Sequence, residues 1–325
     1  PAPPPLSGKT ALARAAPPMY TLFPAQTFAF VNKDHAMLKQ HSLAAPAALI
    51  ILAALLAAIP TPAEDSGTGP RPYADSAHAA NIDAAIGFLL KDRGFGRWMN
   101  LVMLDYLQRK FGLGEQCRHA NTFGPPHPTK GDLSLVESLN RLVDPDHQYT
   151  PPPLPEDPGL YDFMAHTLYC DRIPVSADFH ERLRGQIAKH RGKGGMGDYL
   201  TAYNAIACQW MIENGCAGDD YEAFHNELGD ALVDIVMRNG RDKDIGFTAM
   251  ALLYYMGFGD RIPRVWLDQM VDAQQPDGGW KLSPEKKLSD GHPTVMALWV
   301  LLEAALPDAP DVPWIPKAGP APAGK

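Results

Sequence analysis

Hydrophobic positions from residue 81 onward recur with a helical period, and strand-like alternation is nearly absent. Several segments carry a single apolar stripe on an otherwise polar surface, which is typical of a helix that packs on a core by one face. The stripes are Ile82, Ala85, Ile86, Leu89 and Leu90; Leu135, Val136, Leu139, Leu142 and Val143; Phe179, Leu183 and Ile187; and Tyr221, Phe224, Leu228, Leu232 and Ile235.

A second kind of helix is predicted between these segments. It is apolar on nearly every side, so it must be enclosed by protein all round. The enclosed segments are 98–107, 161–170, 200–212, 247–256 and 294–306. Because the two kinds alternate, the chain is predicted to contain five helix pairs, near residues 81–108, 133–171, 178–213, 221–257 and 263–306.

Three of the enclosed helices begin alike. Thr201, Thr248 and Thr294 are 47 and 46 residues apart, a period in the range of helix-pair repeats. An Asp precedes each Thr, and both residue types accept hydrogen bonds from free backbone N–H groups at a helix start. The sequence therefore predicts an all-α fold of two helix layers, which either close into a toroid or stack as an open superhelix.

A motif in the last pair narrows this choice. Residues 274–280 read Gln-Gln-Pro-Asp-Gly-Gly-Trp, which resembles the Gln-x-x-x-Gly-x-Trp repeat of terpenoid cyclases and the Asp-Gly-Gly-aromatic turn of protein prenyltransferase β subunits. The resemblance implies an α/α toroid over residues 81–306, in which Gln274, Gly278 and Trp280 are a structural motif. Glycine permits a tight turn, and the indole supplies a large packing surface.

The catalytic motifs of those families are incomplete in this chain. The Asp-x-Asp-Asp motif of squalene-type cyclases has its nearest match at residues 144–147, which lack the last Asp. The Asp-Asp-x-x-Asp motif for a prenyl diphosphate has its nearest match at 219–223, which lacks the final acid. His292 resembles the zinc-binding His of protein prenyltransferases, but no Cys accompanies Asp244. No metal site and no cofactor are predicted.

The candidate site residues follow from position in a toroid. The N-terminal ends of inner helices surround the mouth of a central cavity there, so a carboxylate beside a His would suit acid–base chemistry on a sugar or uronate. The alternative is that each Asp is a cap and each His a satisfied core or surface group. The candidate catalytic groups are Asp198, Asp244 and His292, and the candidate ligand-binding groups are Tyr161, His166 and Asp290.

Two functions remain open. We favour a non-catalytic binding or scaffold role for the central cavity, and the alternative is an enzyme acting on a glycan, a uronate or an isoprenoid. The candidate partners are a glycan, a lipid or a protein. An enzyme is expected to bring at least two of Asp198, Asp244 and His292 together at a deep pocket. A scaffold is expected to have its centre filled by side chains such as Met250, Met296 and Trp299.

The N-terminal pattern predicts export. Residues 37–63 combine a basic start, a short apolar run and small residues before a cut after Ala63, which is typical of a cleaved secretory signal peptide. The alternative is an uncleaved anchor. Residues 1–36 are predicted to be disordered or foreign to the natural protein, 64–80 a linker, and 307–325 a Pro/Ala-rich tail with little to bury. We expect a periplasmic or secreted protein without a membrane span after cleavage.

Charge and cysteine content complete the picture. The net charge is −8, and no basic stripe is available to displace the counterions of nucleic acid, so that partner is excluded. Four cysteines in an exported chain predict disulfides, with three possible connectivities. We prefer Cys208 with Cys216 and Cys117 with Cys170. The alternative is that several are buried free thiols.

Overall fold

The structure is a computed structural model that describes residues 71–92, 97–118, 137–159, 161–218 and 221–317. These residues form α-helices joined by turns and short 3₁₀ segments, with no strand among them. The prediction of an all-α protein is confirmed. The predicted signal peptide, everything before it, residues 64–70 of the predicted linker and the last eight residues of the tail lie outside the described residues.

The helices fall where the apolar periods place them, and every predicted pair contributes helical residues. Residues 137–139 are helical and lead into the 3₁₀ turn Asn140–Leu142. The α-helices are α1 (Ala79–Lys91), α2 (Arg97–Phe111), α3 (Asp162–Leu168), α4 (Phe179–His190), α5 (Met196–Asn214), α6 (Tyr221–Asn239), α7 (Asp244–Tyr255), α8 (Arg264–Asp272) and α9 (Gly291–Ala305).

Burial separates the two kinds of helix as predicted. In α7 every residue except Tyr254 is buried, whereas α8 buries only Trp266, Leu267 and Met270. The enclosed helices contact one another in turn: α5 packs on α7, α7 packs on α9, and α9 packs on α2. The one-sided helices pack outside them, with α4 and α6 on α5, α6 also on α7, and α8 and α1 on α9. Helix α3 packs on α5.

The 274–280 turn joins the last helix pair to the first. The side-chain oxygen Oε1 of Gln274 accepts from Nδ2 of Asn81 (2.5 Å), and its Nε2 donates to the carbonyls of Asn81 (3.0 Å) and Gly278 (2.9 Å). Gly278 has a φ of 90°, and a Cβ there would collide with the carbonyl of Ala84 in α1. Glycine is therefore required for the turn to lie this close to α1.

Trp280 ties this turn to the surrounding helices. Its side chain is fully buried, and the indole N–H donates to the carbonyl of Met270 at 2.8 Å. Its backbone N–H donates to Oγ1 of Thr294 (2.9 Å), and its carbonyl accepts from the N–H of Asp290 (2.8 Å). The ring contacts Phe247 edge to face. One residue thus holds α7, α8 and the start of α9 together.

The C-terminal segment differs from the expectation of a tail with little to bury. Trp314 is 3% exposed and Ile315 is 2% exposed. The indole of Trp314 packs within 5.3 to 5.6 Å, centroid to centroid, of Tyr106, Trp210, Tyr255 and Trp299. Pro and Ala dominate the local composition, which gave no indication that two apolar residues enter the core.

The preferred cysteine pairing is wrong. The disulfide joins Cys170 to Cys216, whose Cα atoms are 6.2 Å apart, and Cys117 and Cys208 are buried free thiols. Most of the sequence between Cys208 and Cys216 is helical, which separates them by about 10 Å, too far for a bridge. Instead, Cys170 follows α3 and Cys216 follows α5, so the packing of these two helices brings their ends together.

Two observations bear on the predicted export. The protein has a disulfide bond, and disulfide bonds form and persist in oxidising compartments. Across the part of the chain that the structure describes, no helix combines the length and apolar character needed to cross a bilayer.

Candidate functional site

A cavity of about 180 Å³ lies among α2, α3, α5 and α9. Its wall is mainly apolar and aromatic and includes a single imidazole, which is the composition of a small-molecule pocket, but its volume is below the roughly 300 Å³ at which such pockets usually begin. Tyr161, on the wall, is 38% exposed, which places one side of the cavity near solvent. The lining residues are Met99, Met103, Leu139, Leu142, Tyr161, Met164, Tyr203, Ile206, Trp210, His292, Met296 and Trp314.

The cavity runs along enclosed helices. Tyr203 and Trp210 line it from α5 and are separated by about 10 Å along the helix axis, as seven residues at 1.5 Å rise require. His292 is the second residue of α9, so it lies at the N-terminal end of that helix. Trp314 packs on Trp210 and closes the opposite end. The imidazole and the C-terminal indole therefore lie at opposite ends of the cavity.

Asp244 and His292 form a hydrogen-bonded pair beside this cavity. Oδ1 of Asp244 lies 2.6 Å from Nδ1 of His292, and Oδ2 accepts from the hydroxyl of Tyr199 at 2.8 Å. Asp244 is the first residue of α7, directly after the N-cap Lys243, and its two carboxylate oxygens face His292 and Tyr199. Because α7 packs on both α5 and α9, their starts bring these three side chains together.

The pair has a defined polarity. A carboxylate can only accept, so Nδ1 of His292 carries a hydrogen, and in the neutral ring Nε2 keeps its lone pair for a ligand. Nε2 has no hydrogen-bond partner among the described residues. Burial by itself lowers the pKa of His292. The negative charge of Asp244, its hydrogen bond to the ring and the negative charge of Asp290 outweigh burial, so the pKa is raised above its usual value. The His292 side chain is 21% exposed, against 4% for Asp244.

Tyrosines surround the pair. Burial and the neighbouring Asp244 carboxylate raise the pKa of Tyr199, so its hydroxyl stays protonated and donates to Asp244. Burial, Tyr161 and Asp244 raise the pKa of Tyr203 in the same direction. The rings of Tyr161 and Tyr203 meet edge to face at 5.9 Å. The predicted ligand-binding residue Tyr161 thus lies on the cavity wall.

Asp198 has a different role in the structure. Its buried carboxylate accepts from Nη2 of Arg238 (2.8 Å) and Nδ2 of Asn239 (2.7 Å), at the C-terminal end of α6. Both oxygens are therefore used to join α5 to α6, and Asp198 does not line the cavity. Of the three candidate catalytic groups, the structure brings only Asp244 and His292 together.

The two other candidate ligand-binding residues make local contacts. Asp290 is the N-cap of α9, where its Oδ1 accepts from the backbone N–H of His292 at 3.0 Å. His166 lies 2.9 Å from the carbonyl of Pro152 through Nε2, and it packs on Phe179. Burial lowers the pKa of His166, so its ring is neutral at neutral pH. His166 holds the Pro-rich link onto α3 and is absent from the cavity wall.

Sequence reasoning missed several wall residues. Trp314 gave no signal, and Met99, Met103 and Met164 were taken only as apolar positions in enclosed helices. A signal did exist in the spacing: Met99 and Met103 are four residues apart, and so are His292 and Met296. Side chains four apart share one face of a helix.

Known proteins give no further guide to this site. The chain matches no protein-family model, no curated protein and no solved structure. Within the described ranges, no three or more His, Cys, Asp and Glu side chains are grouped so that they could hold a metal ion.

Proposed function

We propose that the protein is an exported α/α toroid whose central cavity binds a small ligand, in a non-catalytic role. The observation that carries this proposal is the cavity of about 180 Å³ with an apolar wall and one imidazole, whose Nε2 is left for a ligand. A few polar groups in an apolar pocket are the usual arrangement of a small-molecule site.

Helix packing supports the toroid. Enclosed helices contact one another in the order α5, α7, α9 and α2, although α2 lies far before the other three in the sequence. The last helix pair lies against the first. Helix α9 contacts α2, and the side chain of Gln274 makes hydrogen bonds with Asn81 in α1. The wall residues from α2, α3, α5 and α9 then face a shared centre.

The chemistry of the wall restricts the ligand. A glycan carries many hydroxyl groups, and each would lose hydrogen bonds to water when it entered an apolar pocket. His292, Tyr161 and Tyr203 offer few replacements. A small apolar or polarisable ligand that makes one polar contact, to Nε2 of His292, suits this cavity better.

The test uses phenol as a probe, because a dry cavity of similar size admits a single aromatic ring. In protein labelled at methionine methyl groups, phenol should shift the NMR signals of Met99, Met103, Met164 and Met296 saturably. The signal of Met250, which is buried outside the cavity wall, should stay unchanged.

Two filling variants provide the control for this titration. Ile206→Phe and Met164→Phe enlarge wall residues on different helices, and either one should abolish the phenol response while the far-UV circular dichroism stays the same. A titration with no saturable shift, or one that these variants leave intact, would contradict the proposal.

An enzyme that uses the Asp244–His292 pair is the second candidate, because two of the three candidate catalytic groups lie together, as expected of an enzyme, although the cavity beside them is small, about 180 Å³. The 2.6 Å contact favours it, because a carboxylate that orients an imidazole is a common arrangement for acid–base catalysis. Incubation with polyuronates and with isoprenyl diphosphates, followed by product analysis, tests this candidate. A product that the wild type forms and Asp244→Asn does not would support it, and the absence of product from both substrate classes would oppose it.

A further inference from the structure

Methionine is concentrated in the cavity wall. The chain has 12 methionines in 325 residues, yet four of the twelve wall residues are methionines. They come from three helices: Met99 and Met103 from α2, Met164 from α3 and Met296 from α9. Methionine often fills gaps in cores because it is flexible. Its thioether sulfur is also a soft metal ligand. Whether these methionines fill a core or bind a metal ion depends on the other residues that line the cavity.

His292 completes the ligand set. It lies four residues before Met296, so both side chains share one face of α9, as Met99 and Met103 share one face of α2. All five side chains line the same cavity of about 180 Å³, and methionine side chains are flexible enough to adjust toward a shared ion from facing helices. No Asp or Glu lines this cavity, so it lacks the oxygen ligands that hard cations require.

Asp244 orients the imidazole for this purpose. A His that ligates a metal through one nitrogen usually donates its other N–H to a carboxylate, which fixes the ring. Here Nδ1 of His292 faces Oδ1 of Asp244 at 2.6 Å, and Tyr199 in turn holds Oδ2 at 2.8 Å. Asp244 is therefore a positioning residue, and Nε2 is the nitrogen available to an ion.

We infer that the cavity is a binding site for a soft monovalent metal ion, Cu(I), held by methionine thioethers and Nε2 of His292. Thioether sulfur is a ligand for Cu(I), whereas Zn(II) is held by thiolate, imidazole and carboxylate groups and Mg(II) and Ca(II) by oxygen atoms. The inference rests on the proposed function and names the ligand of that same cavity. Both free thiols, Cys117 and Cys208, are buried elsewhere and do not line the cavity, so the site uses no thiolate.

Competition with a chromophoric chelator tests the inference. Full-length protein, kept anaerobic, is titrated into Cu(I) bicinchoninate, and it should withdraw one equivalent of Cu(I). Ag(I) should displace that ion, and Zn(II) should not. X-ray absorption at the copper edge should show sulfur and imidazole neighbours. Failure to withdraw Cu(I), or equal displacement by Zn(II), would overturn the inference.

Matched variants locate the site. Leucine has nearly the volume of methionine and preserves packing, so Met103→Leu and Met296→Leu should each weaken Cu(I) binding about tenfold or more, within the range seen when support of a metal site is removed. Met250→Leu, a buried methionine outside the wall, should leave the affinity unchanged. Binding that depends on Cys117 or Cys208, and not on these methionines, would overturn the inference.

Two further variants distinguish the metal ligand His292 from Asp244, which positions it: His292→Gln and Asp244→Asn. His292→Gln should remove imidazole scattering, and Asp244→Asn should reduce that scattering and weaken Cu(I) by about 10- to 100-fold, beyond any change in the unfolding midpoint. Unchanged spectra in both would overturn the inference. The phenol titration decides separately on the cavity: if phenol binds and Cu(I) does not, the inference fails and the proposed function stands.

Discussion

Asp244 and His292 are 48 residues apart in the chain, yet Oδ1 of one lies 2.6 Å from Nδ1 of the other. The separation is two residues more than the 46 that relate Thr248 to Thr294. The two residues therefore do not hold equivalent positions in the repeat, but both lie at the start of their helix, and the starts of α7 and α9 become neighbours because these helices pack side by side.

Trp280→Ala should lower the free energy of unfolding by about 3 to 5 kcal/mol, because it removes a large, fully buried ring and leaves a cavity. The carbonyl of Met270 would also lose its hydrogen bond from the indole. Urea unfolding measures the change. Trp280→Phe should lose less, since it keeps most of the packing. An unchanged melting temperature in Trp280→Ala would contradict the structural role of the motif.

Gln274→Glu should destabilise the contact between the last and first helix pairs by about 1 to 3 kcal/mol. The substitution removes the two N–H donors and places a carboxylate oxygen against the carbonyls of Asn81 and Gly278. Gln275→Glu is the matched control, because the Gln275 side chain donates only to the nearby carbonyl of Ala273. Equal losses in the two variants, measured by urea unfolding, would show that Gln274 does not join the pairs.

Removing the disulfide should lower the unfolding free energy by about 2 to 5 kcal/mol. The variant is Cys170→Ala with Cys216→Ala, and chemical denaturation under oxidising conditions measures it. Alkylation of the denatured, unreduced wild type, read by mass spectrometry, should modify Cys117 and Cys208 alone. Burial raises the pKa of each of these thiols to about 12, so neither should react in the folded protein. Four modified cysteines without reductant would rule the bridge out.

Glu213 should make stability depend on pH. Burial raises its pKa, although the N–H groups of Trp314 and Ile315 and the hydroxyl of Tyr255 bond its carboxylate and partly offset burial. A raised pKa in the folded state favours the protonated form there. Its stabilising contribution is therefore present below the ordinary pKa and is lost as pH rises through the raised value.

Glu213→Gln measures that contribution. The unfolding free energy of wild type minus that of Glu213→Gln should fall as pH rises above the ordinary pKa of Glu, about 4.3, toward the raised value. Urea unfolding of both proteins at each pH gives the difference. A difference that stays constant, or one that grows with pH, would mean that burial does not dominate at Glu213.

The helical architecture was predictable because burial repeats along the chain with the period of a helix. The stripe from Ile82 to Leu90 and the all-round apolar run from Phe247 to Met256 each produced the expected helix with the expected exposure. The expectation that Asp244 and His292 could meet followed from placing both at the starts of enclosed helices in a toroid, not from a sequence motif that joins them. The role that the structure gives to Asp198 could not be predicted from the sequence. Its partners Arg238 and Asn239 lie on a different helix, and only packing brings them to its carboxylate.

The sequence by itself determined that this protein is all-α, where its helices lie and which of them are enclosed, because hydrophobic periodicity reports the burial of each helix locally. Only the tertiary structure decided which side chains meet. It paired Cys170 with Cys216, set Trp314 among four aromatic rings and gathered four methionines with His292 around one cavity. Such contacts join residues of distant helices, and their geometry depends on how the helices pack against one another.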